Sequence, residues 1–378
     1  MKPTDVFTWH EIENDWLSGG KLGLSNEAVV RAFNVVATQF GRAWVEASRV
    51  HNGSVTSGAL PTVRVATLGQ FLESLNDAPG SAHLLDKVQD GLSDARAELL
   101  AIHLVRSGMP GLSLEVEPEI VVGGRNRRPD FRVQRQEEGW TYVEVAQANT
   151  SQAQADVRRG LERLTQLVDN QVGNFTLEIF LKREPNSDEV EVIAAEVTSR
   201  LGAANLAQAE LGDGLGTLYW NTTAPGVGPT DNHGHPYTPR FSAMRIAAQG
   251  ESRRHICVRW PFTDERAQAF LDSETKQLPK DAPGLIMIQT SEAIGAMKAW
   301  RALIARRFQP TIYTRVSAVC LFSSGLRSTP QGEEWRPETK LILNPHARFP
   351  LPEWIVDQLE RFRSEELDLP LADDHDCV

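Results

Sequence analysis

SDARAELLAIHLVRSGMPGLSLEVEPEIVVGGRNRRPDFRVQRQEEGWTYVEVAQAN, residues 93–149, passes from a helical to a strand-like hydrophobic period, and the order of its elements decides the fold. Its first part predicts a helix opening at Ser93, with Ser93 placed to cap it and Asp94 suited to its positive N-terminus. Ala101, Ile102 and Val105 follow Glu98 at three, four and seven residues and share its face, so Glu98 points where apolar side chains point. A carboxylate on such a face is costly unless it is paired or bound to a metal. A strand is expected around Leu114–Val122, then a basic loop Gly123–Arg128, a strand opened by Pro129-Asp130, and a strand through Tyr142–Val145. Alternation along Trp140–Gln147 places Tyr142, Glu144 and Ala146 on one face and Val143, Val145 and Gln147 on the other.

Glu98 on the helix, Pro129-Asp130 at the strand entry and Glu144-Val145-Ala146 on the next strand resemble the motif of the PD-(D/E)XK, or restriction-endonuclease-like, superfamily. The likeness extends over roughly 90 residues, through a strand at Thr176–Lys182 reached by a helix Gln152–Val172, in the order αβββαβ. It implies an α/β fold: a restriction-endonuclease-like mixed sheet with flanking helices. It also implies Mg²⁺, which Mn²⁺ can replace, held by Glu98, Asp130 and Glu144, and hydrolysis of phosphodiester bonds in nucleic acid, DNA first, in a setting of bacterial restriction or phage defence. Mg²⁺ takes oxygen ligands and is commonly held by one or two carboxylates together with substrate phosphate. Arg125, Arg127 and Arg128 are expected to contact phosphate, which the planar guanidinium fork suits.

The sequence departs from that pattern at Ala146, where the family carries a lysine that orients or activates the attacking water. Gln147, Gln152, Gln154, Arg158, Arg159 and Lys182 are substitutes within reach; Gln154 and Arg158, four apart on one helix face, are the expected pair. The opposing reading is a nuclease-like fold that binds nucleic acid or a protein partner without cutting.

Around this core the chain divides into a helical segment 1–92, the core 93–220, a Gly/Pro-rich loop 221–251, a C-terminal α/β region 252–364 and an acidic tail 365–378. The N-terminal helices, Asn26–Val50 among them, are expected to pack on the core or to join a second copy or a protein partner. Beyond Ser252, strands at His255–Trp260, Leu285–Gln289, Val316–Ser323 and Lys340–Leu343 alternate with helices Asp264–Lys276, Ser291–Arg307 and Pro352–Arg363. Helix Ser291–Arg307 interleaves Lys298, Arg301, Arg306 and Arg307 with Met297, Trp300 and Ile304, a pattern that fits a phosphate backbone on one side and a core on the other. His233 and His235 read as a polar loop tip, and His103 as structural.

Composition bounds the rest. The net charge is −11, which disfavours a polyanion partner unless positive charge is gathered locally. Arg240–Arg315 holds thirteen Lys/Arg against seven Asp/Glu and is therefore a candidate nucleic-acid face. Cys257, Cys320 and Cys377 form no C-x-x-C pair, against a disulfide framework or a structural zinc site. With no apolar run of membrane length and no leader-like N-terminus, a cytoplasmic protein that does not engage a membrane is expected.

Overall fold

The computed structural model describes residues 6–17, 20–52, 60–136, 138–147, 175–183, 185–201, 208–221, 240–249, 252–261, 264–290 and 294–363. Its helices are α1 (Trp9–Trp16), α2 (Asn26–Phe40), α3 (Arg42–Asn52), α4 (Leu60–Glu73), α5 (Ser81–Gln89), α6 (Ser93–Arg106), α7 (Ser187–Leu201), α8 (Asp264–Glu274), α9 (Ile294–Arg307) and α10 (Glu353–Glu360). Its strands are β1 (Leu112–Val116), β2 (Ile120–Val122), β3 (Arg125–Arg127), β4 (Phe131–Arg135), β5 (Thr141–Gln147), β6 (Phe175–Leu181) and β7 (Gln208–Leu211). They continue as β8 (Gly216–Asn221), β9 (Arg240–Gln249), β10 (Ser252–Pro261), β11 (Gly284–Gln289), β12 (Ala318–Thr329) and β13 (Gly332–Leu343). The protein is mixed α/β, and it divides into two compact units, one made of 1–148, 269–292 and 304–368, the other of 149–268, 293–303 and 369–378.

The first unit is built on a mixed sheet in the order β1-β4-β5-β11-β12-β13. β1, β4 and β5 pair antiparallel in succession, β5, β11 and β12 run parallel, and β13 returns antiparallel along β12. β11, GLIMIQ, is buried along five of its six residues, as a central parallel strand covered on both faces must be. One continuous core joins this sheet to the N-terminal helices: Phe33, Val36, Leu84, Leu99 and Ile102 pack in the same cluster as Phe131, Val143, Met287 and Ile355. The expectation that the N-terminal helices pack on the sheet-bearing core is therefore met. The run expected as one helix, Asn26–Val50, is broken at Gly41, whose φ of +90° ends α2 and lets α3 start in a new direction. Gly69 on α4 lies so close to α2 that a Cβ there would stand 2.3 Å from the Ala32 carbonyl oxygen.

The strand expected at Thr176–Lys182 forms, as β6, but not beside β5. It belongs to the second unit, whose sheet runs β7-β8-β6-β10-β9, with β6 and β10 parallel and the other pairs antiparallel. Leu177, Ile179 and Leu181 pack there against Val190, Ile193 and Val197 of α7. The place beside β5 is taken by β11, with Glu144 opposite Ile286 and Gln147 opposite Gln289. The order in the first unit is therefore α6-β1-β4-β5-α8-β11, with the second unit's strands inserted between β5 and α8. The expected helix Gln152–Val172 and the expected loop tip with His233 and His235 lie outside the described residues.

The expected strand Leu114–Val122 is two strands, and the expected basic loop is a hairpin. β2 and β3 form a two-stranded ribbon of their own, closed by Gly123 (φ +58°) and Gly124 (φ +78°). Positive φ at both turn residues is what a type I′ turn requires. Among the described residues no helix is long and apolar enough to cross a membrane.

Candidate functional site

Three side chains picked out by sequence, Glu98, Asp130 and Glu144, lie in the first unit near enough for their charges to act on one another. α6 is buried along the stripe Ala95, Leu99, Ile102 and Val105, and Glu98 lies among these residues at only 6% exposure. The C-terminal end of α6 is fixed by Gln358 of α10, whose buried amide donates to the carbonyls of Leu104 and Ser107 at 2.9 and 2.8 Å. Asp130, half-buried at the mouth of β4, accepts a hydrogen bond on Oδ2 from the Val145 backbone N–H at 2.6 Å. That bond ties its carboxylate to β5 beside Glu144, which is 4% exposed.

Electrostatics make this cluster expensive as it stands. Burial, then the charge of Asp130, pushes the Glu98 carboxyl up to about 8. Burial likewise raises Asp130, against the Val145 N–H, which favours its ionised form. Glu144 rises through burial first and then the charges of Asp130, Glu274 and Glu98. Buried carboxyls facing one another share protons or attract a cation, since several negative charges in low dielectric repel strongly. Glu98 Oε2 and Glu144 Oε1 are buried with no hydrogen-bond partner.

Sequence reasoning missed three members of this site. Glu274, half-buried at the end of α8, is raised by its own burial and acts on both Asp130 and Glu144. Lys87 and Glu117 come from elements to which no chemistry had been assigned. Gly80 (φ +82°) begins α5 so close to β1 that a Cβ there would lie 2.1 Å from the Val116 carbonyl oxygen, and the Val116 N–H donates to Pro79 O at 2.9 Å. α5 is thereby laid beside the end of β1. Lys87 Nζ reaches Glu117 Oε1 at 3.1 Å, and His83, four residues earlier on the same helix, reaches it at 2.8 Å. Glu117 has φ +48°, a left-handed conformation unusual for a side-chain-bearing residue, and its N–H donates to the Asp130 carbonyl oxygen at 2.8 Å. Burial works against the Lys87 ammonium, but the charges of Glu98, Glu117 and Asp130 raise it on balance and keep it charged.

No protein-family model and no curated protein matches this chain. Its chemistry must be read from its own residues. Among the described residues no group of three His, Cys, Asp or Glu side chains is arranged to hold a metal ion. The donor set nevertheless suits a hard divalent cation: carboxylate oxygens from three elements, two of them buried and lacking partners.

The basic residues are placed as follows. Arg125 is exposed and Arg127 half-buried on β3; Arg128 is exposed and ion-paired with Glu119. Such a surface pair is worth little. On α9, Met297, Trp300 and Ile304 are buried, Arg301 and Arg306 exposed and Arg307 half-buried. Gln154 and Arg158 lie outside the described residues, as does the side chain of Lys298. Gln147 donates to Gln289 Oε1 at 3.0 Å, on the face of β5 opposite Glu144. Lys182 and Arg183 line a cavity of about 310 Å³ in the second unit. His103, expected to be structural, has Ser74 Oγ 3.0 Å from its Nδ1, and burial lowers the imidazole to about 4.

Proposed function

We propose that this protein is a divalent-metal-dependent nuclease that hydrolyses phosphodiester bonds of DNA, in the manner of the PD-(D/E)XK enzymes its motif resembles, with restriction or phage defence as the corresponding setting. The observation that carries this reading is the buried cluster of Glu98, Asp130 and Glu144, two of whose oxygens lack any partner, with a lysine at its edge. The order α6-β1-β4-β5-α8-β11 supports it, because it supplies the αβββαβ succession with α8 and β11 as its last two elements.

Asp130, Glu144 and Glu98 would hold Mg²⁺ or Mn²⁺; when bound, the cation acidifies water and offsets charge on the phosphate under attack. The Asp130–Val145 bond holds that carboxylate in one orientation on β5. Buried walls exclude water and so strengthen each interaction within them. Lys87, steadied by Glu117, supplies the ammonium that Ala146 does not. Its charge is felt by Glu98 and Asp130, so it would serve as the donor that the attacking water or a phosphate oxygen needs, and its ion pair with Glu117 limits its rotamers.

Lys87→Met is accordingly expected to lower Mg²⁺-dependent cleavage by about 10²-fold, the scale of losing one well-placed electrostatic group. Ala146 shares the buried face of Glu144, so Ala146→Lys in the Lys87→Met background should recover activity from the β5 side. A purely structural role for Lys87 would not be rescued by that second change. The rates are read on plasmid and oligonucleotide substrates with Mg²⁺ or Mn²⁺. A wild-type protein that binds nucleic acid and cuts neither DNA nor RNA would instead support the binding-only reading, which the buried Ala146 favours.

Helix α9 gives a further test. Neutralising Arg301, Arg306 and Arg307 to glutamine should weaken DNA binding and flatten its salt dependence, by about 0.9 in the log–log slope for each phosphate contact removed. An unchanged slope assigns these arginines to the protein surface alone.

A further inference from the structure

The β2–β3 ribbon belongs to neither large sheet, and its two faces differ. Cross-strand neighbours share a face, so Val121 and Asn126 lie on one side, and Ile120 with Arg127 and Val122 with Arg125 on the other. The second side is the inward one: Val122 is 9% exposed, Ile120 is half-buried, and Arg127 Nε is buried without a hydrogen-bond partner. The outer side is open. Val121 is 71% exposed, and Asn126 beside it is exposed as well. An apolar side chain and an amide thus project outward together, while Arg125, on the other face at the turn, and Arg128, just past β3, are exposed beside them. Residues 118–129 carry Arg125, Arg127 and Arg128 against Glu119, a local excess of positive charge in a chain of net −11.

We propose that this ribbon enters the major groove of double-stranded DNA, with Val121 and Asn126 toward the base edges and the exposed Arg125 and Arg128, along and just after β3, toward the phosphates of one strand. The inference rests on the nuclease reading and specifies its substrate as a duplex. Three observations support it. The major groove, about 12 Å wide, admits a two-stranded ribbon, and asparagine and small apolar groups are among the side chains that read adenine and the thymine methyl there. The chain from Arg127 to Asp130 spans three residues, at most about 10 Å. A ribbon seated in the groove therefore keeps Asp130 at the bordering phosphate. The Gly123-Gly124 turn also leaves the tip free of side-chain bulk, and a Cβ at either glycine would meet nothing within 4 Å.

The test uses the full chain and one random-sequence oligonucleotide, presented single-stranded and as a duplex. Binding is read in EDTA and cleavage with Mn²⁺. The wild type is expected to bind the duplex at least about 10-fold more tightly than the single strand. Val121→Glu, at a site too exposed to disturb folding, should abolish that difference by weakening duplex binding alone. Asn126→Ala should change the bases found around cleavage sites while leaving the salt slope untouched, and Arg125→Gln should flatten the slope by about 0.9. If Val121→Glu and Asn126→Ala bind and cut the duplex as the wild type does, the groove assignment is overturned and the nuclease reading stands. If the wild type neither binds nor cuts either form, both fall together.

Discussion

Asp130→Asn and Glu144→Gln are each expected to lower metal-dependent cleavage by more than about 10²-fold, while leaving the metal-free protein at least as stable as the wild type. The two effects have one origin. In the proposed reading each carboxylate is a cation ligand, and each is also an unwanted charge in a buried cluster when no cation is present. The amides keep the shape and the hydrogen bonding: after Asp130→Asn the side-chain amide oxygen can still accept from the Val145 N–H, the bond that fixes this side chain to β5. Neither substitution removes core volume, so no cavity cost offsets the relief of repulsion. The stability gain should grow with pH, since the wild-type carboxyls ionise as pH rises and the amides do not. Cleavage assays alongside thermal melts at pH 6 and pH 9 decide the matter. Variants that cut normally would place the chemistry elsewhere, and variants that melt far below the wild type would make these residues structural.

The second large effect is a coupling between pH, metal and stability. Glu98, Asp130 and Glu144 all have folded-state values raised above the ordinary carboxyl range, Glu98 to about 8 from 4.5. A group raised in this way gives its full contribution to stability below its unfolded value, and that contribution is lost as pH climbs through the folded one. Metal-free protein should therefore melt at progressively lower temperature from about pH 5 to pH 9. A tenfold displacement of a protonation equilibrium corresponds to about 1.4 kcal/mol, so three carboxyls together involve several kcal/mol. Mg²⁺ or Mn²⁺ should reverse the loss, because ligand that binds only the folded state at about 100 times its Kd adds about 2.7 kcal/mol. For units of this size that is a rise of about 5 °C or more, seen at about pH 8.5 and nearly absent at about pH 5, where protons occupy the ligands. Melting curves in EDTA and in Mn²⁺ across this range give the answer directly. A melting temperature indifferent to both pH and metal would contradict the electrostatics of the cluster.

Several features were legible because they depend on local spacing alone. The face of α6 that carries Glu98 follows from the positions of Ala101, Ile102 and Val105, and the face Glu144 shares with Ala146 from strand alternation; that this face is itself buried, and not only the valine side, came from the structure. The Arg-rich segment was misread as a loop although Gly123-Gly124 between short apolar and polar runs is a hairpin signal in its own right. Position 146 carries no lysine; Gln154 and Arg158, the expected substitutes, lie outside the described residues, and Lys87, proposed above for that role, stands upstream on α5, where local spacing gave no reason to look.

By itself, then, the amino-acid sequence determined which side chains are conspicuous at their positions: a glutamate on an apolar helix face, a glutamate on an alternating strand with valines on its other face, an aspartate at a strand entry. Periodicity reports the face a residue occupies, and a charge on a core-facing position is conspicuous wherever the chain goes. Only the tertiary structure decided which elements are neighbours. Thr176–Lys182 and Leu285–Gln289 are both plausible partners for β5 by propensity, and the pairing went to the second, whose unbroken apolar run suits a strand covered on both faces, while β6 took the second sheet. Lys87, Glu117 and Glu274 join the carboxylates through a close approach at Gly80 and a helix end about 130 residues beyond β5. Such meetings are contacts between segments far apart in the chain, and local spacing carries no record of them.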